Sequence, residues 1–306
     1  MLRSFLVTAS AIALSACSGE DASNPGSGES GFDNVDLSAY LDCAREQRVT
    51  LLQAHRAGDR PGAAENSVAA LNASLDDGAV FIELDVTRSG DGVLFLMHDD
   101  LLDRTTTGSG VFYNRAFDEL SDLELIDLNG NPTGEAIPTL ADALAALDGR
   151  GIAQIDRKSP ASFEAIADVL EAEDAVDRSI IITYSLEDAI ALHQRLSEVM
   201  ISVGIRSLDD VETLREAGVD LSRITAWLGL GDGDTTLDEE LTMLGIETSY
   251  GDFRAEREGQ ADYRQMAANG AEVISVDDVP AASRALDGNT TGTDLLQTCP
   301  AAGASN

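Results

Sequence analysis

The sequence predicts an α/β protein folded as a (β/α)8 TIM barrel, with a small inserted subdomain after strand 2. Three observations carry that prediction. From residue 50 onward, short β-rich apolar runs alternate with helix-period segments, and the alternation repeats eight times. Roughly 265 residues follow the polar N-terminal stretch, a length that suits one barrel. Side chains of complementary chemistry collect at the carboxyl ends of the first three strands, the end at which barrels build their sites. An open doubly wound sheet is the other architecture the alternation permits, but no glycine-rich dinucleotide loop follows the first strand.

Strands are expected at 50–55, 80–86, 152–157, 179–184, 200–204, 223–228, 245–248 and 272–276. Helices are expected near 65–76, 139–148, 161–173, 185–198, 207–217, 236–243, 260–269 and 280–286. Ser159-Pro160 and Ser185 read as N-terminal signals of two of these helices. One connection breaks the rhythm: about fifty residues separate Asp85 from the helix at 139, far more than a βα loop needs. A strand-like run at 93–97 follows the turn Ser89-Gly90-Asp91-Gly92. The connection therefore reads as a hairpin plus a subdomain over about 99–138 on the barrel's mouth.

The chain divides into a leader at 1–16, a flexible tether at 17–38, the barrel domain at 39–300 and a tail at 301–306. Arg3, the apolar run from Phe5 to Leu14 and the small residues after it have the layout of a secretory signal peptide. Leu14-Ser15-Ala16-Cys17 resembles a bacterial lipobox, which implies lipidation of Cys17 and a membrane anchor at the N-terminus. A plain signal peptide cleaved nearby is the alternative. Ser18 in place of Asp after the cysteine resembles outer-membrane lipoproteins, so the expected location is the periplasmic side of the cell envelope. No later segment is apolar and long enough to span a bilayer. Cys43 and Cys299 flank the predicted barrel and are expected to form a disulfide in an oxidising compartment, with two buried free thiols as the alternative.

The net charge of −35 argues against nucleic acid and against electrostatic docking on anionic lipid. An anionic substrate would need local cations, and the chain has one lysine, Lys158. Strand one ends in His55-Arg56, strand two carries Glu83 and Asp85, the hairpin ends in His98-Asp99, and strand three holds Asp156 and Lys158. A spacing of two puts each strand pair on one face. Glu83, Asp85 and Asp156 form an oxygen donor set for one divalent cation, Mg²⁺ or Ca²⁺. Arg56 offers a fork for phosphate oxygens, Lys158 a point charge, and the imidazoles an acid and a base near neutral pH. Singly, each residue has a structural explanation as a core ion pair or a hydrogen-bonded histidine; together they point to phosphodiester chemistry. His193 reads as a solvated helix residue. Asp232, Asp234 and Glu239 miss the EF-hand spacing and read as a surface loop.

These segments resemble the glycerophosphodiester phosphodiesterase family. The likeness runs through Ala54-His55-Arg56-Ala57, Glu65-Asn66-Ser67, Phe81-Ile82-Glu83-Leu84-Asp85-Val86, Met97-His98-Asp99-Asp100, Asp103-Arg104-Thr105-Thr106, Ile137-Pro138-Thr139-Leu140 and Val276-Asp277-Asp278-Val279-Pro280. It covers about 50 to 285. The resemblance implies His55 and His98 as the acid/base pair, Arg56 on the phosphate, and Glu83 and Asp85 on the metal. Asp156 stands where the family has a glutamate, Ser67 where it has a threonine, and Ala57 where it has a glycine. Glu65 and Asn66 are expected to support the site. Trp227 packs against the substrate's glycerol or alcohol part, or against the barrel rim. The implied reaction is metal-dependent hydrolysis of glycerophosphodiesters to glycerol phosphate and an alcohol, with attack by the glycerol 2-hydroxyl or by water. Two other readings share these residues: a phospholipase C- or D-like enzyme of intact lipids, and a non-catalytic envelope lipoprotein that binds a phosphoryl ligand.

Overall fold

Apolar runs and helix-period segments set the order of elements. The computed structural model describes residues 31–32, 35–58, 60–147, 149–231, 233–286, 295–296 and 298–299. The predicted leader, Cys17, most of the tether and the 301–306 tail lie outside these residues. The chain begins α1 (Leu37–Gln47), β1 (Leu51–Ala54), α2 (Val68–Asp76), β2 (Phe81–Arg88), β3 (Leu94–Leu96), α3 (Phe117–Ser121), β4 (Glu124–Ile126), β5 (Pro132–Ala136) and α4 (Leu140–Leu147). It continues β6 (Ile152–Arg157), α5 (Phe163–Ala172), β7 (Ser179–Thr183), α6 (Leu186–Arg195), β8 (Met200–Gly204), α7 (Leu208–Glu216), β9 (Ile224–Leu230) and α8 (Thr235–Thr242). It closes with β10 (Glu247–Gly251), α9 (Phe253–Arg257), α10 (Tyr263–Ala268), β11 (Val273–Val276) and α11 (Val279–Ala285).

Strands β1, β2 and β6 to β11 pair in parallel, and the register Gln53↔Phe81 and Ala54↔Ile82 closes the ring. This is the predicted (β/α)8 barrel. Strand alternation decides which side chains face the helices. Ile82, Leu84 and Val86 of β2, with Ala153 and Ile155 of β6, join the main core beneath the helices. Glu83, Asp85, Gln154 and Asp156 take the opposite face, toward the barrel's axis.

The amino end of the interior is sealed by apolar side chains. Leu51, Phe81, Ile152, Ile180, Met200 and Val273 form one cluster, and Phe32, Val35, Leu37, Tyr40 and Leu41 pack on it. The predicted tether therefore overruns: Phe32, Val35 and Leu37 pack into the folded domain, and Phe32 is 1% exposed. Polar composition hid this, because a few apolar residues among Gly, Ser and Asp suffice to cover the open end of a barrel. Asp36 caps α1 by accepting from the Ser38 N–H, and Arg45 of α1 pairs with Glu247 inside the barrel.

Cys43 of α1 is bonded to Cys299, with Cα atoms 6.1 Å apart and a sequence separation of 256. The bond ties the two ends of the domain beneath this plug. Cys43→Ser is expected to lose about 2–5 kcal/mol of stability, read as a lower urea midpoint, and reduction of the unaltered protein should reproduce the loss. A midpoint insensitive to both would refute a stabilising role.

Smaller differences have local causes. Ser162 caps α5 in place of the predicted Ser159-Pro160, and Ser185 caps α6 as its position suggested. β10 runs later than the predicted 245–248, and α9 was not anticipated because it spans little more than one turn. β3 pairs antiparallel with β2, extending the sheet by the expected hairpin. The insert has its own core, with Phe95, Met97, Leu102, Phe112, Leu120 and Leu125 around the antiparallel β4–β5 pair. Asp234 caps α8 and Asp232 lies outside the described residues, so the acidic loop has an ordinary helix-capping role.

Candidate active site

Three carboxylates meet at the carboxyl ends of β2 and β6. Asp85 pairs in register with Asp156, and Glu83 lies one inward position below Asp85. Glu83, Asp85 and Asp156 are all buried, and one oxygen from each lies within 4.8 Å of the others. The shorter Asp156 side chain therefore reaches the cluster. Burial, and then the charges of Asp85 and Asp156, push the Glu83 pKa well above the ordinary glutamate range.

Protein donors hold one side of this cluster. The Arg56 N–H donates to Glu83 Oε2 at 2.6 Å, and Asn66 Nδ2 donates to Asp85 Oδ2 at 2.6 Å. Asn66 Oδ1 in turn accepts the Asp85 N–H at 2.9 Å. Lys158 Nζ donates to Asp156 Oδ2 at 2.6 Å and sits 3.1 Å from Asp85 Oδ1. Its charge therefore lies among the carboxylates. Burial alone would lower the Lys158 pKa, yet Asp85 and Asp156 hold it above the ordinary lysine value. The Tyr184 hydroxyl also donates to Asp156 Oδ2, at 2.6 Å. Asp156 Oδ1 remains buried without a partner in the protein. All-oxygen donors, oriented by outer hydrogen bonds and including one unpartnered oxygen, fit a hard divalent cation such as Mg²⁺ or Ca²⁺.

The two histidines are built alike. His55 follows β1 in a 3₁₀ turn, and its Nδ1 lies 2.7 Å from Asp277 Oδ1 at the end of β11. Phe253 of α9 stacks on the His55 ring, with centroids 4.1 Å apart and planes 16° from parallel. His98 follows β3, and its Nδ1 lies 2.7 Å from Asp99 Oδ1. Each imidazole thus has its Nδ1 held by a carboxylate, which leaves Nε2 as the atom for proton transfer. Arg104 donates to Asp99 at 2.6 and 2.9 Å and to Glu65 at 2.7 and 2.7 Å. That contact, then His98, holds the Asp99 carboxyl well below the usual carboxylate range. Glu65 also pairs with Arg56 at 3.4 Å, which links the His98 side of the site to the His55 side.

Backbone strain concentrates at the same place. Arg56, Ala57 and Asn66 have φ of 52, 64 and 57°, left-handed values that L residues adopt at a cost. The turn that results aims the Arg56 N–H at Glu83, and the Asn66 N–H bonds Arg56 O at 2.8 Å. Ala57 keeps the left-handed conformation that a glycine would take freely. The Arg56 guanidinium has its Nε buried without a hydrogen-bond partner, 3.8 Å from Asp85 Oδ2.

A cavity of about 420 Å³ opens beside the carboxylates and is lined by His55, Glu83, Asp156, Tyr184, Trp227 and Phe253 among others. Trp227 is half-buried on its wall. The residues singled out from strand ends come together here or in the contacts around it. His193, expected in solvent, instead accepts the Asp220 N–H at 3.3 Å. Asp277, Asp99, Arg104, Tyr184 and Phe253 were given no role from sequence. Alternating spacing could have flagged Tyr184, two residues after Ile182, whereas the Phe253 stack had no signal.

The pattern that defines the glycerophosphoryl diester phosphodiesterase family matches residues 55–220. A glycerophosphodiester phosphodiesterase of Caldanaerobacter subterraneus subsp. tengcongensis is 34% identical over 149 residues, covering 45% of this chain and 61% of that protein. Human glycerophosphodiester phosphodiesterase 1 is 38% identical over 95 residues, covering 30% of this chain and 28% of that protein. The match thus spans less than two thirds of either relative. A crystal structure of a glycerophosphoryl diester phosphodiesterase from Parabacteroides distasonis superposes with a TM-score of 0.76 at 25% identity, covering 83% of this chain and 92% of that one. An Oleispira antarctica phosphodiesterase, solved with the product sn-glycerol-3-phosphate, shares the fold with a TM-score of 0.62 at 22% identity, covering 79% and 99%. With the matched region beginning at His55, directly after β1, and spanning α2 to α7, the chain belongs to the glycerophosphoryl diester phosphodiesterase family.

Proposed function

We propose that this protein hydrolyses glycerophosphodiesters to glycerol phosphate and an alcohol. The observation that carries this reading is the pairing of one buried three-carboxylate cluster with two histidines anchored alike through Nδ1. Glu83, Asp85 and Asp156 would hold a divalent cation, which when bound supplies charge neutralisation at the phosphoryl oxygens. Arg56 grips the phosphodiester through its guanidinium fork. Lys158 keeps the Asp85 and Asp156 carboxylates in place and limits the negative charge that the substrate meets.

His55 and His98 divide the proton transfers. One accepts the proton of the attacking hydroxyl as the new P–O bond forms. The other donates a proton to the departing alkoxide as the old P–O bond breaks; when the attacker is the glycerol 2-hydroxyl this leaves a cyclic phosphate, which water then opens to glycerol phosphate. Asp277 and Asp99 fix each ring's orientation through Nδ1. The product held by the Oleispira antarctica phosphodiesterase is the one this reaction would release, which supports the reading.

A panel of glycerophosphodiesters, assayed with Mg²⁺, Ca²⁺ and chelator, tests it. Release of glycerol phosphate that chelator abolishes and divalent cation restores is the expected outcome. Absence of turnover on every member would favour a phosphoryl-binding role instead.

A further inference from the structure

Each carboxylate of the cluster has one oxygen engaged by an uncharged donor. The Arg56 N–H holds Glu83 Oε2, Asn66 Nδ2 holds Asp85 Oδ2, and the Tyr184 hydroxyl holds Asp156 Oδ2, all at 2.6 Å. Arg56 and Asn66 are locked to each other by the bond from the Asn66 N–H to Arg56 O at 2.8 Å. Tyr184 has no such scaffold. It stands between the end of β7 and Ser185, the N-cap of α6, and it is 69% exposed. A ring so exposed gains little from burial, so core packing does not account for where its hydroxyl sits. The hydroxyl nonetheless reaches Asp156, whose other oxygen, Oδ1, is buried without a partner.

We propose that Tyr184 is a positioning residue for the cation: by holding Asp156 Oδ2 it limits Asp156 to one ligand oxygen, Oδ1, and so biases the site toward Mg²⁺ over Ca²⁺. The inference rests on the cation-dependent reading just given. An aspartate carboxylate turns about a broad, two-fold torsion, so its plane needs a donor outside the side chain to fix it. Lys158 Nζ bonds the same oxygen at 2.6 Å, but it is shared with Asp85 Oδ1, 3.1 Å away. A second ammonium at this place would oppose the charge of the incoming cation. A phenol directs the carboxylate as a neutral dipole and adds no such repulsion.

The consequence is a choice between cations. With one oxygen of each carboxylate engaged, the cluster presents one oxygen from each of Glu83, Asp85 and Asp156, within 4.8 Å of one another. Ca²⁺ gathers about six to eight oxygens and can take both oxygens of a carboxylate, whereas Mg²⁺ is smaller and keeps several waters. An Asp156 released from Tyr184 could turn both oxygens inward, which serves Ca²⁺ more than Mg²⁺.

Calorimetric titration of the full chain and its Tyr184→Phe variant with Mg²⁺ and with Ca²⁺ tests the assignment. Mg²⁺ affinity should fall by about tenfold or more, the scale for losing an outer partner of a metal ligand. Ca²⁺ affinity should fall less, so the preference for Mg²⁺ shrinks. In chelator the two proteins should melt alike, because the variant deletes one oxygen from a mostly exposed ring. Turnover of glycerophosphocholine by the variant should recover as Mg²⁺ is raised to saturation, since Tyr184 acts through Asp156. An unchanged Mg²⁺ affinity, equal losses for the two cations, or turnover that stays low at saturating Mg²⁺ overturns the role of Tyr184 and leaves the hydrolytic reading intact. An unaltered protein that binds neither cation overturns the cation-dependent reading itself.

Discussion

Alanine at His55 or at His98 is expected to lower kcat by about 10²- to 10⁴-fold, with little change in the thermal midpoint. The kinetic half follows from the proposed division of labour, in which each imidazole serves a different proton. The stability half follows from exposure. The two side chains are 24% and 31% exposed, so truncation opens the surface rather than a sealed cavity. The carboxylates left behind keep cationic neighbours, Arg104 at 2.6 Å from Asp99 and Arg257 at 3.8 Å from Asp277. Steady-state kinetics on a glycerophosphodiester, with a melting curve for each variant, measures both halves. Two folded variants with near-normal turnover would show that the histidines are not the acid and base.

Glu83→Gln should separate function from stability in the opposite way. The amide keeps an acceptor for the Arg56 N–H, bonded at 2.6 Å in the unaltered protein, and nearly preserves the side-chain volume. It removes one charge from a buried cluster of three carboxylates. Turnover is expected to fall by at least about 100-fold, beyond the usual effect of losing an outer-sphere partner of a metal. Calorimetric titration with Mg²⁺ or Ca²⁺ should show weaker binding. In chelator the same variant should melt at a higher temperature than the unaltered protein. Burial and like-charge repulsion both act against an ionised Glu83, and a neutral isostere relieves them. An unchanged cation affinity would remove Glu83 from the metal site.

Much of this molecule could be read from residue patterns. The eight strands were visible because both faces of a parallel strand are covered, so each strand appears as a short apolar run between polar turns. The inward polar residues interrupt those runs at carboxyl ends, which made Glu83, Asp85 and Asp156 legible as a set. His98 was legible through the hairpin that returns along β2. Other parts had no comparable signal. α1 and Phe32 seal the barrel from a stretch whose composition is that of a linker. Asp277 and Phe253 come to His55 from strand and helix ends about two hundred residues away, and sequence spacing does not encode such proximity.

The chain by itself determined the barrel, its insert and the identities of the groups gathered at the mouth. Period-two and helical patterns are local properties of a chain, and a barrel's topology follows from their order. Tertiary structure alone decided how those groups are held. It placed Lys158 against Asp85 and Asp156, gave each histidine a carboxylate on Nδ1, and left Gln53 Oε1 without a partner beneath the site. The Lys158–Asp85 and His55–Asp277 contacts join side chains from different strands, set by closure of the ring and the register of its parallel pairs, whereas Asp99 is the chain neighbour of His98. Barrel closure brings distant parts of the sequence within hydrogen-bonding distance, and only the folded geometry says which side chains meet.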